Sequence, residues 1–426
     1  MHIKQLMKKI KLIALLLLAG ANAKSQSMAT LNLDTCYALA KKNFPLLKQM
    51  ALIDKTEAFS IENAFKAYLP QLNFVGQATY QSEVTKIPIS LPGMQIQELN
   101  KDQYRLYGEL SQSLTEPLII KQQKSIITTN TVNEKQKLEV ELFKLKERIN
   151  QLYFGILLID AQLEQTNLLE KDIELALKKT DAAILNGVSL KSNADMLKAE
   201  LLKIAQRNIE LIANRKAYTD MLSLFINRNI SENEVLQIPN FGALSNSINR
   251  PEMKQFEAQK RSVEAQKKLL SAKNLPKLSL FFQGGYGRPT LNALSNDFGA
   301  YYIGGLRFNW NITSYYTYKN DKQLLFMNEN NIDIQKEVFL FNTQLLLKQQ
   351  NGEISKLIEL INTDQQIISL REKIKTTSNV QLENGTITAI DYLNTLNAYD
   401  QAKQNLAIHK IQLLLAQHTF QTTSGN

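Results

Sequence analysis

The sequence predicts a mainly α-helical protein with a transmembrane β-barrel contribution: duplicated long helical hairpins plus four strands per chain. Three observations predict it. No proline lies between Pro117 and Pro239, or after Pro289, and proline costs about 3 kcal/mol inside a helix, so such gaps permit long helices. Two similar turns interrupt these runs, Asn186-Gly187-Val188-Ser189-Leu190 and Asn384-Gly385-Thr386-Ile387-Thr388. Four short segments switch from a helical period to strict alternation.

The chain begins with Lys4, Lys8, Lys9 and Lys11, an apolar run from Leu12 to Ala19 and a small-x-small site at Ala21-Asn22-Ala23. Residues 1–23 therefore read as a secretory signal peptide. Its removal lowers the net charge from +10 to +6. The remaining basic excess is spread thinly, which argues against nucleic acid as a partner. Cys36 is the one cysteine, so no internal disulfide can form. Leu33-Asp34-Thr35 before it is not a lipobox, and Cys36 reads as a small residue on a buried helix face. No other run approaches the roughly 20 apolar residues of a spanning helix.

Residues 31–66 read as a helix with Asp34 as N-cap and a kink or late start at Pro45. The first strand, about 71–81, sets Leu72, Phe74, Gly76, Ala78 and Tyr80 against Gln71, Asn73, Gln77 and Thr79, with Val75 as the exception. A loop with Pro88 and Pro92-Gly93 leads to a second strand, about 103–113. A helix from Leu118 to Leu185, interrupted only by Gly155, would run on the order of 100 Å. It returns from Ala194 to Ile226 after the first turn, and residues 229–249 read as irregular. The pattern then restarts: a helix from Pro251 to Asn274, strands at about 277–287 and 300–312, a helix from Tyr318 to Leu382, the second turn, and a return from Asp391 to Phe420.

The recurrence holds in register. Pro45 and Pro70 precede Pro251 and Pro276 by 206 residues, whereas Leu110, Leu114 and Gly187 precede Phe308, Ile312 and Gly385 by 198. The slip of eight falls where the first hairpin loop lies, and loops tolerate insertions. The chain thus divides into a first repeat, 24–249, and a second, 250–426.

Two strands per half make only a marginal hairpin in water. Strands of about ten residues with one apolar and one mostly polar face, and aromatic residues near their ends, have the pattern of a membrane barrel. Four strands cannot close a barrel, and lipid tolerates no open edge, so several chains must contribute.

Nothing supports catalysis. His409 and His418 share no carboxylate or cysteine cluster of metal-ligand spacing, and Gly284-Gly285-Tyr286-Gly287 ends a strand with no helix to hold a phosphate. The sequence implies no enzyme activity and no cofactor.

The order helix, strand pair, long helix, glycine turn, return helix, all given twice, resembles the TolC family of outer-membrane efflux channels. Leu31 to Pro45, Tyr68-Leu69-Pro70-Gln71-Leu72, Gly305 to Trp310 and above all the turn segments Gly187 to Leu197 and Gly385 to Leu393 carry the likeness. It covers nearly the whole mature chain. The resemblance implies a homotrimer with a twelve-stranded barrel in outer-membrane lipid and a periplasmic tube of helices. It implies that Asn186, Gly187, Val188, Ser189 and Leu190, with Asn384, Gly385, Thr386, Ile387 and Thr388, form a tip where a periplasmic adaptor docks, linking an inner-membrane pump. It also implies a pore closed near that tip by charged contacts, for which Glu372, Lys373, Lys375 and Glu383 are candidates. Gly187 stands eight residues before Asp195 and Gly385 six before Asp391, so the two tips differ; both aspartates read as helix-start caps. Passive efflux of small molecules is the leading expectation. Type I protein secretion and a structural coiled-coil envelope protein are the alternatives. The cargo and the pump class are not written in the sequence.

Overall fold

The structure, a computed structural model, describes residues 31–85, 99–232, 234–240, 242, 245, 247–292 and 295–426. The expected signal peptide and the loop containing Pro88 and Pro92-Gly93 lie outside them. The elements run α1 (Leu33–Asn43), α2 (Lys48–Lys66), β1 (Gln71–Tyr80), β2 (Asp102–Ser113), α3 (Glu116–Phe143), α4 (Leu145–Leu185), α5 (Lys191–Ile226), α6 (Pro251–Lys273), β3 (Lys277–Arg288), β4 (Gly299–Asn309), α7 (Ser314–Glu383) and α8 (Ala389–Ser424).

Several boundaries differ from the sequence reading, for local reasons. The helix expected over 31–66 is two helices joined by a 3-10 turn at Pro45–Leu47. Proline disfavours helical backbone in the residue before it, and Phe44 is extended, with φ −66° and ψ 128°. Asn32, not Asp34, caps α1: its side-chain oxygen accepts the Thr35 amide at 2.8 Å. The long helix breaks at Lys144 and runs straight through Gly155. A Cβ at Gly155 would stand 2.6 Å from the Tyr218 ring, so the glycine serves the approach of α5 to α4.

The chain forms two compact units, each assembled from separated segments. Of the described residues, one takes those within 31–44, 144–245 and 347–423; the other takes those within 45–143, 247–346 and 424–426. In the first unit Tyr153 is fully buried, and its hydroxyl lies 2.8 Å from the Leu31 carbonyl and 2.6 Å from that of Gln237. It thereby pins the segment after α5, which also pairs with residue 31 through a parallel bridge between Leu31 and Leu236.

The second unit holds the sheet, antiparallel in the order β1-β2-β3-β4. Register aligns the predicted apolar residues on one face: Leu72, Leu110, Phe282 and Gly304 form one row, and Phe74, Gly108, Gly284 and Tyr302 the next. Large rings stand beside glycines; the Phe74 ring lies 3.3 Å from where a Gly108 Cβ would be. This face is uncovered within the chain: Phe74 is 79 % exposed, Tyr302 73 % and Leu306 65 %. The fourth strand ends at Asn309, so Trp310 follows the strand instead of belonging to it.

The opposite face carries Tyr107, Phe281 and Tyr301 among its polar residues. Its centre is ionic. Glu109 accepts two hydrogen bonds from Arg307, at 2.7 and 3.1 Å, and one from the Gln283 amide. The Arg307 guanidinium sits 4.5 Å from the centre of the Phe281 ring, a cation–π contact.

Candidate functional site

Both glycine turns lie in the first unit, brought together by α4, α5, α7 and α8. Each long helix stops the same way. Gly187 has φ +73° and Gly385 φ +67°, the left-handed backbone that glycine adopts without strain. In the first turn the Gly187 amide reaches the Ile184 carbonyl at 3.0 Å and the Val188 amide reaches that of Ala183 at 2.9 Å. In the second, Gly385 reaches Leu382 at 3.1 Å and Thr386 reaches Gln381 at 2.9 Å. These are the paired bonds of a Schellman cap, repeated at the offset of 198 residues seen in the sequence.

Beneath the turns, Leu169, Ile173 and Ala176 from α4, Leu197 and Ile204 from α5, and Tyr392, Leu393 and Leu396 from α8 pack as one core, with Ile387 of the second turn against it. The turns themselves line a cleft of about 740 Å³, with Lys179 and Asp391 at its walls.

The two turns differ in what they present. The first exposes Leu185, Val188 and Leu190; Ser189 accepts a bond from the Asn193 side chain at 3.2 Å. The second consumes its own polar groups. The Thr386 hydroxyl donates to the Gln381 carbonyl at 3.0 Å. Thr388 and Asp391 form a reciprocal box: the Thr388 amide donates to the Asp391 carboxylate at 3.1 Å, and the Asp391 amide donates to the Thr388 hydroxyl at 3.2 Å. The Thr388 hydroxyl, which donates to the Asp391 carboxylate at 2.6 Å, and after it the Thr388 amide hold that carboxyl below the usual carboxylate range. Asp391 therefore serves the cap as expected, with Thr388 at the cap position. Asp195 does not. Helix α5 starts at Lys191, four residues earlier, and Asp195 faces Lys198 at 4.0 Å on the helix surface.

Two of the four predicted charged residues meet partners across helices. Lys375 of α7 pairs with Asp172 of α4, and its ammonium stands 4.9 Å from the Tyr399 ring centre. Glu383 of α7 accepts from Lys179 of α4 at 2.5 Å and from Asn379 at 3.2 Å, and the lysine holds its carboxyl low. Glu372 and Lys373 are exposed, and their backbone carbonyls accept the hydroxyls of Thr376 and Thr377. Sequence reasoning missed Asp172, Lys179 and Tyr399. A signal existed: Asp172 and Lys179 are seven apart on α4, Lys375 and Glu383 eight apart on α7, with the signs inverted. Each pair therefore lies on one helical face.

Farther along α8 lies a buried polar group. The Asp400 carboxylate accepts the Gln404 amide at 2.5 Å, and Arg207 of α5 donates to the Gln404 oxygen. Burial pushes the Asp400 carboxyl up to about 6 from its ordinary 3.8. A raised folded value means that Asp400 favours the fold most below pH 3.8 and that this contribution fades as pH rises through about 6. Asp400→Asn is thus expected to melt above wild type at pH 7.5 and level with it below pH 4, measured by thermal unfolding at each pH. His409 lies against a single carboxylate, Asp364, at 2.6 Å; no group of three metal-ligating side chains occurs among the described residues. No helix there is long and apolar enough to cross a membrane.

No family model and no curated protein matches the chain by sequence. Solved structures do match. The outer membrane protein VceC of Vibrio cholerae aligns over 92 % of this chain and 96 % of its own, with TM-score 0.64 and 12 % identity. The CmeC outer membrane channel of Campylobacter jejuni covers 92 % and 85 %, at 0.62 and 14 %. The MtrE outer membrane channel of Neisseria gonorrhoeae, in its open state, covers 92 % and 88 %, at 0.63 and 14 %. The chain has the fold of these channel proteins along nearly its whole length, as the TolC resemblance led one to expect.

Proposed function

We propose, from the fold shared with solved outer-membrane channels, that this chain is itself an outer-membrane channel: a passive conduit, and no enzyme, whose helices extend into the periplasm. The observation that carries this reading is the sheet. Its apolar face is exposed, and among the described residues its outer strands β1 and β4 pair with no further strand. In water such a face invites aggregation. In a bilayer it is the required surface, provided the edges pair. Three copies joined β4 to β1 would supply twelve strands and leave no edge. The ionic face around Glu109 and Arg307 would then line the lumen.

The finer reading is a tripartite efflux system exporting small molecules, with a periplasmic adaptor and an inner-membrane pump. The difference between the turns supports it: the first offers exposed apolar side chains to a partner, while the second is occupied with its own caps. The pairs Lys375–Asp172 and Lys179–Glu383 fit a closure that stitches α7 to α4 beside the tip. Glu372 and Lys373, exposed and without such pairs, fit the closure less well. The Schellman caps repeated 198 residues apart support duplication, with repeats 24–249 and 250–426.

The test is a photo-crosslinking residue at Ser189 in the cell of origin, with the captured protein identified by mass spectrometry. A periplasmic adaptor of a drug pump is the expected product. An adaptor of a type I secretion system would replace efflux by protein export, and a chain found free in the periplasm with no adaptor would remove the channel reading.

A further inference from the structure

A second cavity, of about 580 Å³, lies between α6 and α7 in the unit that holds the sheet, lined by Lys267, Tyr318, Lys319, Lys322, Gln323 and Phe326. Its polar lining is rich in hydrogen-bond donors: three ammonium groups, a side-chain amide and a phenol. No carboxylate is among these lining residues, and of the three lysines Lys267 is paired, with Glu329 of α7 at 2.5 Å. Two lysine charges remain uncompensated, and Phe326 gives the cavity an apolar wall, with the Lys267 ammonium 5.8 Å from its ring centre.

The position of this cavity matters as much as its charge. Trp310 follows β4 in phase with Leu306 and Phe308 of the exposed apolar face. Its ring meets Tyr315 edge-on at 6.3 Å, and Tyr315 meets Tyr318 at 6.0 Å. The Trp310 indole N–H donates to the Asn274 carbonyl at 3.2 Å, and the Tyr318 hydroxyl lies 3.0 Å from that of Ser271. A ladder of amphipathic rings thus leads from the end of the apolar face into the basic cavity. Tryptophan and tyrosine stand at the boundary between hydrocarbon and headgroups, and lysines just beyond such a boundary attract anionic lipid.

We infer that the α6–α7 cavity binds the phosphate headgroup of an anionic phospholipid, in the leaflet at the helical end of the sheet. This rests on the reading that the apolar face is covered by lipid. The ammonium groups of Lys319 and Lys322 take the phosphate oxygens, Tyr318 and Gln323 add neutral donors, and Phe326 lies beside the start of the acyl chains.

The test uses the purified full chain in phosphatidylcholine vesicles doped with phosphatidylglycerol. Lipid retained per chain is read by native mass spectrometry, and insertion by quenching of Trp310, the one tryptophan of the sequence, by brominated acyl chains. Each lysine near an anionic headgroup contributes about 1 kcal/mol, or about fivefold. Lys319→Gln combined with Lys322→Gln is therefore expected to weaken phosphatidylglycerol retention roughly 25-fold, and Lys→Arg at both to preserve it. Equal retention by wild type and the Gln variant, with Trp310 still quenched, would overturn the headgroup site and leave the channel reading standing. Absence of Trp310 quenching would overturn both. Displacement of the lipid by inorganic phosphate at equal concentration would reassign the cavity to a soluble anion.

Discussion

Replacing Tyr153 by alanine is expected to lower stability by about 4 kcal/mol, the cost of emptying a fully buried aromatic site. Tyr153 is 0 % exposed. Its ring packs edge-on against Phe154 at 6.0 Å, and its hydroxyl serves the carbonyls of Leu31 and Gln237. The alanine variant loses the ring's burial and also releases the segment after α5 from α4. Tyr153→Phe separates the two effects. It keeps the ring and removes one donor, for an expected cost of about 1 kcal/mol. Denaturant unfolding in detergent micelles, followed by helical circular dichroism, checks both. An alanine variant with an unshifted midpoint would mean that this contact does not hold the unit together.

Leu306→Arg is expected to cost about 2–4 kcal/mol in a bilayer, the range for a basic side chain on the lipid face near the midplane. In water the same change would be close to neutral, because Leu306 is 65 % exposed within the chain and surface substitutions rarely exceed about 0.5 kcal/mol. The prediction therefore reads the solvent of the sheet directly. Ile303→Arg, on the other face of β4, provides the comparison and is expected to insert and unfold as wild type does. Equal behaviour of the two variants in refolding into vesicles would show that neither face meets lipid.

Much of this fold was legible because its signals are periodic. Alternation from Leu72 to Tyr80 and from Leu278 to Tyr286 fixes a face by itself, and a slip of one residue in pairing would turn the whole apolar set to the other face. The glycine turns were legible because left-handed backbone narrows the choice of residue at Gly187 and Gly385. What could not be read depends on partners distant in sequence. The Asn32 cap competes with Asp34 two residues away, and nothing in the local sequence favours one. Gly155 looks like a helix break until Tyr218, more than sixty residues on, is seen against it. Lys375 could be named as a charged residue near the tip, but its partner Asp172 is about two hundred residues distant. Alternation places Phe281 on the face assigned as polar, but it does not record that the Arg307 guanidinium lies over that ring.

Conductance across a planar bilayer tests directly whether the chain forms a channel. The purified chain is expected to give discrete ohmic steps, small in wild type. In Asp172→Asn, which removes the charge facing Lys375 and leaves the sheet untouched, the steps are expected to be several-fold larger. Bilayers that take up both proteins, by antibody detection, and pass no current with either would contradict the account.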